Sequence, residues 1–91
     1  MIFEFDAAKS AANLAKHGVD LGFGKRVFDD PALVLIPTIR LGDEEERHKA
    51  VGLVDGRLWT AVHVERGKNV RLISVRRSNL GERRDYDRYS R

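Results

Sequence analysis

Arg76 and Arg77 close the stretch Val-Arg-Leu-Ile-Ser-Val-Arg-Arg, residues Val70 to Arg77. A guanidinium is a planar fork of donors that meets two phosphate oxygens at once, and an extended element gives the fork a rigid base. Side chains alternate along a strand, so Val70, Leu72, Ser74 and Arg76 are expected on one face and Arg71, Ile73, Val75 and Arg77 on the other. Both faces carry apolar residues, which predicts an interior strand. Two readings of its end stay open. One is solvated charge, the common state of arginine. The other is a phosphate clamp whose first candidate is Arg76, on the face of Ser74.

The distribution of charge favours the clamp. The net charge is only +3, but residues 66–91 hold nine Lys/Arg against three Asp/Glu, and residues 1–65 hold eight against eleven. A basic third on an acidic body suits a polyanion or an acidic protein partner. The 91 residues are expected to form one domain, large enough for a small core. The absence of cysteine excludes disulfides and thiolate metal sites. No apolar run approaches the ~20 residues of a membrane span and no signal pattern opens the chain, so a cytoplasmic protein is expected. His17, His48 and His63 are not grouped at ligand spacing; neither a metal nor another cofactor is expected.

The elements that must carry these residues can be read in order. Ile2–Phe5 is a short strand. Asp6 caps a helix over residues 7–17, with Ala8, Ala11, Ala12 and Ala15 as a flat packing face and Gly18 as its left-handed stop. Asp20 caps a second helix over residues 21–29, weakened by Gly22 and Gly24 and ended at Asp30-Pro31. Residues 32–36 form an apolar strand stopped by Pro37. Residues 38–46 form an acidic loop. Residues 47–54 and 58–65 pair around the Asp55-Gly56 hairpin signal, and residues 66–69 turn into the arginine-bearing strand. Asn79 and Glu82 have capping-box spacing before a last helix. The result is α+β: a small, mostly antiparallel sheet with two N-terminal helices and one C-terminal helix.

Several of these segments together resemble a known family. They are Phe5-Asp6…Lys9…Asn13-Leu14…Lys16-His17-Gly18-Val19, Val27-Phe28-Asp29-Asp30, Glu46-Arg47, Ile73-Ser74-Val75-Arg76-Arg77 and Glu82-Arg83-Arg84…Tyr86. In this order they resemble the BrnT toxins of bacterial type II toxin–antitoxin systems, over nearly the whole chain. The resemblance implies a RelE/ParE-like fold, RNA cleavage, and neutralisation by a ribbon-helix-helix antitoxin through which the pair binds operator DNA. Phe5 stands where Trp is common in the family, and Gly22 and Gly24 replace better helix formers.

RNA cleavage without a metal needs a base for the 2′-hydroxyl, cations for the phosphate oxygens and an acid for the leaving 5′-oxygen. Arg76 is the leading cation. Arg47 is a second, with a salt bridge to Glu46 or Glu82 as its alternative. Lys9 sits in a first helical turn, where a cation opposes the helix dipole; it is either solvated surface or, as the family motif implies, part of the site. Glu46 is a candidate base. His63 is a candidate base or acid, with a core histidine as the alternative. Arg77, Arg83, Arg84 and Tyr86 are candidates for holding the nucleic acid, Arg77 with a carboxylate ion pair as its alternative and Tyr86 by stacking on a base unless it packs on the domain. Two other functions stay open: a non-catalytic partner that docks an acidic antitoxin segment, and a gyrase-poisoning toxin of the same fold.

Overall fold

The computed structural model describes residues 1–38 and 46–90. Strands β1 (Ile2–Glu4), β2 (Val34–Thr38), β3 (Arg47–Val54), β4 (Arg57–Arg66) and β5 (Asn69–Arg77) form one sheet in the order β1-β5-β4-β3-β2. Helices α1 (Ala7–His17) and α2 (Gly24–Phe28) follow β1, with a 3-10 turn at Leu21–Phe23 between them, and α3 (Leu80–Tyr89) closes the described chain. The acidic residues Asp43, Glu44 and Glu45 of the expected loop lie outside the described residues.

The sheet is mixed, not antiparallel throughout. β2, β3, β4 and β5 pair antiparallel, whereas β1 lies parallel to β5. Short turns fix the direction of β3, β4 and β5. The two helices carry the chain from β1 to β2 on the opposite edge, where β2 runs antiparallel to β1, and the three antiparallel pairings from β2 to β5 then lay β5 parallel beside β1. Asp55 and Gly56 have φ of 49° and 80°, the positive pair that a tight hairpin with the right twist requires. β2 continues through Pro37 instead of stopping before it; as the sheet's outer strand it can accept a residue without an N–H.

β5 carries a bulge that the simple alternation missed. Val62 pairs with Ser74 but His63 pairs with Leu72, so Ile73 is skipped. Val70, Leu72 and Val75 therefore join the core beneath α2, with Leu21, Val27, Ala50, Trp59 and Ala61. Arg71, Ser74 and Arg76 face the other way, toward the layer of α3.

The expected packing face of α1 is also corrected. Ala8, Ala11, Ala12 and Ala15 are exposed, and the helix seats through buried Ser10 and Asn13. The reason lies at the sheet edge. β1 covers β5 only from Asn69 to Arg71, leaving Val75 with free peptide groups. The Asn13 amide donates to the Val75 carbonyl at 2.8 Å, and its oxygen accepts the Val75 N–H at 3.1 Å. One side chain thus replaces a missing strand residue.

The second helical stretch is shorter than expected because the chain passes close to the sheet. A Cβ on Gly24 would sit 3.0 Å from a Leu72 methyl, and one on Gly52 would collide with the Val27 carbonyl oxygen. α3 packs on the opposite face over β2 and β3. Its Tyr86 hydroxyl donates to Asp30 at 2.6 Å, tying that layer to the chain just beyond α2.

Candidate functional site

The α3 face of the sheet collects cations. Register sets Lys49, Val62 and Ser74 in one row across β3, β4 and β5. Val51, Thr60 and Arg76 form the next row, and Arg47, Val64 and Arg71 lie on the other side of the first. Rows on one face are about 7 Å apart and strands about 4.8 Å apart. Four cations therefore surround the Val62–Ser74 step.

Glu82 of α3 holds the centre of this surface. Its carboxylate is almost fully buried. Arg76 donates to it twice, Nη1 to Oε1 and Nη2 to Oε2, each at 2.7 Å. Lys49 Nζ lies 3.1 Å from Oε2, Thr60 Oγ1 donates to Oε1 at 2.9 Å, and the Asn79 N–H adds a capping-box bond at 2.9 Å. Ser78 Oγ is 2.8 Å from Thr60 Oγ1. Burial by itself would raise the carboxyl's pKa, but these donors, led by Arg76, hold it down to about 2. The same pairing raises the Arg76 guanidinium above its ordinary value.

The fork that sequence reasoning offered to phosphate is thus filled by a carboxylate of the chain itself. Two cations share one anion, so the centre keeps an excess of one positive charge. Arg76 and Lys49 remain 27% and 29% exposed. The excess charge therefore reaches solvent. Across Ser74 the surface continues into a shallow groove lined by Lys9, Lys16 and His17 of α1 with Ile73 and Ser74 of β5. Arg71 lies 4.0 Å from Glu4.

Of the residues singled out in the sequence, the fold brings Lys9, Arg47 and Arg76 to this side. It does not bring Glu46 or His63 there. The Glu46 carboxylate lies 4.0 Å from His48 Nε2, and His48 shares the α2 face with Gly52 and Val54. His63 is fully buried on that same face, against the Phe28 ring and stacked on His48 with centroids 5.9 Å apart. Burial lowers its pKa; the His48 charge works in the same direction, and the Ala61 carbonyl and Glu65 oppose it. With no solvent access, His63 cannot exchange a proton with a substrate on the other face. The core alternative for His63 is therefore the one the fold adopts.

Arg77 also leaves the site. It faces the α2 side, with its guanidinium carbon 5.6 Å from the Trp59 ring centroid. Arg83 lines a separate hollow with it. Arg84 is exposed on α3. Tyr86 is not a free stacking platform. Burial and the bond to Asp30 push its hydroxyl up to about 12, and Asp30, although partly desolvated, is held below its usual value by Tyr86 and the Leu53 and Ala32 N–H groups.

Sequence reasoning missed Lys49, Thr60 and His17 as members of this surface, and saw in Glu82 a helix cap or a partner for Arg47, not the partner of Arg76 and Lys49. Lys49 was visible in principle, since it shares strand parity with Arg47. Glu82 was not, because nothing in its spacing tells a capping glutamate from one buried beneath two cations.

The fold and this surface define a small α+β protein with a mixed sheet and a cationic face suited to a phosphodiester chain. The family model for BrnT, the ribonuclease toxin of type II toxin–antitoxin systems, matches residues 5–82, and the chain belongs to that family. A search of curated proteins found no match. Membership implies an antitoxin partner and an RNA target. Among the described residues no helix is long and apolar enough to cross a membrane.

Proposed function

We propose that this chain is a metal-independent endoribonuclease of RelE/ParE-like fold, silenced by a ribbon-helix-helix antitoxin that carries the pair to its operator DNA. The observation that supports it most is the Glu82 centre, where Arg76 and Lys49 share one buried carboxylate and keep a surplus charge beside the Lys9 groove.

In this reading the scissile phosphate rests over Val62 and Ser74. Arg76 and Lys49 meet its non-bridging oxygens from one side and Lys9 from the other, while Arg47 and Arg71 take a neighbouring phosphate. The 2′-hydroxyl oxygen attacks phosphorus as its proton passes to a base. The bond to the 5′-oxygen then breaks, and that oxygen takes up a proton, leaving a 2′,3′-cyclic phosphate and a 5′-hydroxyl. The cations stabilise the charge that builds on the equatorial oxygens, the largest usual contribution to such catalysis. We assign proton transfer to His17, half-buried in the same groove, because an imidazole ring has one nitrogen that can accept a proton and one that can donate it. It takes the role first considered for Glu46 and His63.

Purified, antitoxin-free protein incubated with a defined RNA tests this. Cleavage should leave cyclic phosphate ends and persist in excess chelator. Lys9→Ala, on an exposed helix surface, should slow it about 100-fold with an unchanged melting temperature. Intact RNA, or cleavage abolished by the chelator, would contradict the proposal. Growth arrest with intact RNA and lost supercoiling would favour the gyrase-directed alternative.

A further inference from the structure

We infer that Arg57, Arg77 and Arg83 form a second phosphate-binding subsite, distinct from the Glu82 centre, which holds the RNA backbone beyond the cleaved linkage. This inference rests on the ribonuclease reading for its ligand. The three arginines line one hollow of about 200 Å³, together with Leu58 and Ser78, and none of its lining residues is acidic.

The arginines of this chain differ in what they meet. Arg76 is engaged by Glu82, Arg26 by Asp55 at 2.8 Å, and Arg71 approaches Glu4. Arg57, Arg77 and Arg83 make no ion pair among the described residues, yet they come from a hairpin, a strand end and a helix to border the same space. Three unneutralised guanidiniums around one hollow repel each other at a cost to folding, which a bound anion relieves. Arg77 is braced on the Trp59 ring, so its fork is oriented before any ligand arrives.

Continuity identifies the ligand as the same strand that occupies the first site. Ser78 lines the hollow, and its hydroxyl touches Thr60, which donates to Glu82. Arg76 and Arg77 are adjacent in sequence and point to opposite faces of β5. A backbone leaving the Arg76 side over the strand end, past Ser78, reaches the hollow directly. Successive phosphates of one strand would then be gripped on either side of the β5 terminus. The sequence-independence of such contacts suits a positioning role.

The test uses a 2′-O-methyl oligoribonucleotide, which binds but offers no 2′-hydroxyl for cleavage. Binding is followed by fluorescence anisotropy across a salt series, for the parent protein, an Arg57→Gln/Arg83→Gln variant and a Lys25→Gln control on the α2 surface. Both substituted arginines are exposed, so the fold should be kept, and thermal melting verifies it. The double variant should bind at least tenfold more weakly, with the slope of log affinity against log salt reduced by about 1. The control should match the parent. Equal affinity and slope for the double variant would overturn the subsite, even if the parent cleaves RNA normally. Weakened binding in a protein that never cleaves RNA would uphold the subsite and refute the nuclease reading. Unchanged RNA binding with weakened binding of the antitoxin would reassign the hollow to an acidic protein segment.

Discussion

Glu82 carries more of this molecule than its place in a capping box suggests. Its carboxyl sits at about 2 in the folded chain against an ordinary 4.5. The folded pKa is depressed, so the stabilisation is complete above pH 4.5 and is lost as pH falls through the folded value. The difference corresponds to about 3 kcal/mol. Glu82→Gln should cost a comparable amount at neutral pH, since it leaves Arg76 and Lys49 partly buried without their anion; urea denaturation measures it. His63 works in the same direction at higher pH. Its folded pKa lies below 6.5 because burial disfavours the charged ring, so the unfolded chain binds the proton first. Stability should decline as pH drops below 6.5, with His48 and Glu65 the titratable neighbours facing the ring. His63→Leu should flatten melting temperature between pH 7 and pH 5. A slope that survives the substitution would place its origin elsewhere.

At the scale of elements, the seating of α1 shows where sequence legibility ends. Its limits were readable, because Asp6 and Gly18 act through local backbone geometry: the Asp6 carboxylate accepts the Lys9 N–H at 2.9 Å, and Gly18 has φ of 80°. Its buried face was not, because alanine periodicity carries no information about a sheet edge that lacks a neighbour. Asn13 solves a problem created 62 residues away. Asn13→Ala should cost about 2–4 kcal/mol by stranding the Val75 N–H and carbonyl, a loss that chemical denaturation would register. The same distinction explains the site. Asn79 and Glu82 were legible as a cap and Asp55-Gly56 as a hairpin, both short-range signals. The bulge at Ile73 was invisible to simple alternation, and it decides which face receives Ser74 and Arg76. Read without it, Val70 and Leu72 fall on the wrong side of the sheet and the cation row cannot be assembled.

For the molecule as a whole, charge is organised by face more than by segment. The basic C-terminal third supplies only Arg71 and Arg76 to the Glu82 face, which is completed by Lys9 and Lys16 from the first helix and by Arg47 and Lys49 from β3, in the acidic part of the chain. The basic third read alone therefore understates the cationic surface, to which the acidic part of the chain contributes four side chains. RNA affinity should fall steeply between low and physiological salt, with a slope set by the number of phosphates neutralised. The central claim is that cations gathered on Glu82 cleave RNA, and Lys49 tests it most directly. Arg76→Ala would uncover a buried carboxylate and unfold the site, whereas Lys49→Gln leaves the Arg76, Thr60 and Asn79 bonds to Glu82 in place. The decisive measurement is the single-turnover cleavage rate of a defined RNA by parent and Lys49→Gln proteins of matched melting temperature. A fall of about 100-fold is predicted; equal rates for the two proteins would contradict the account.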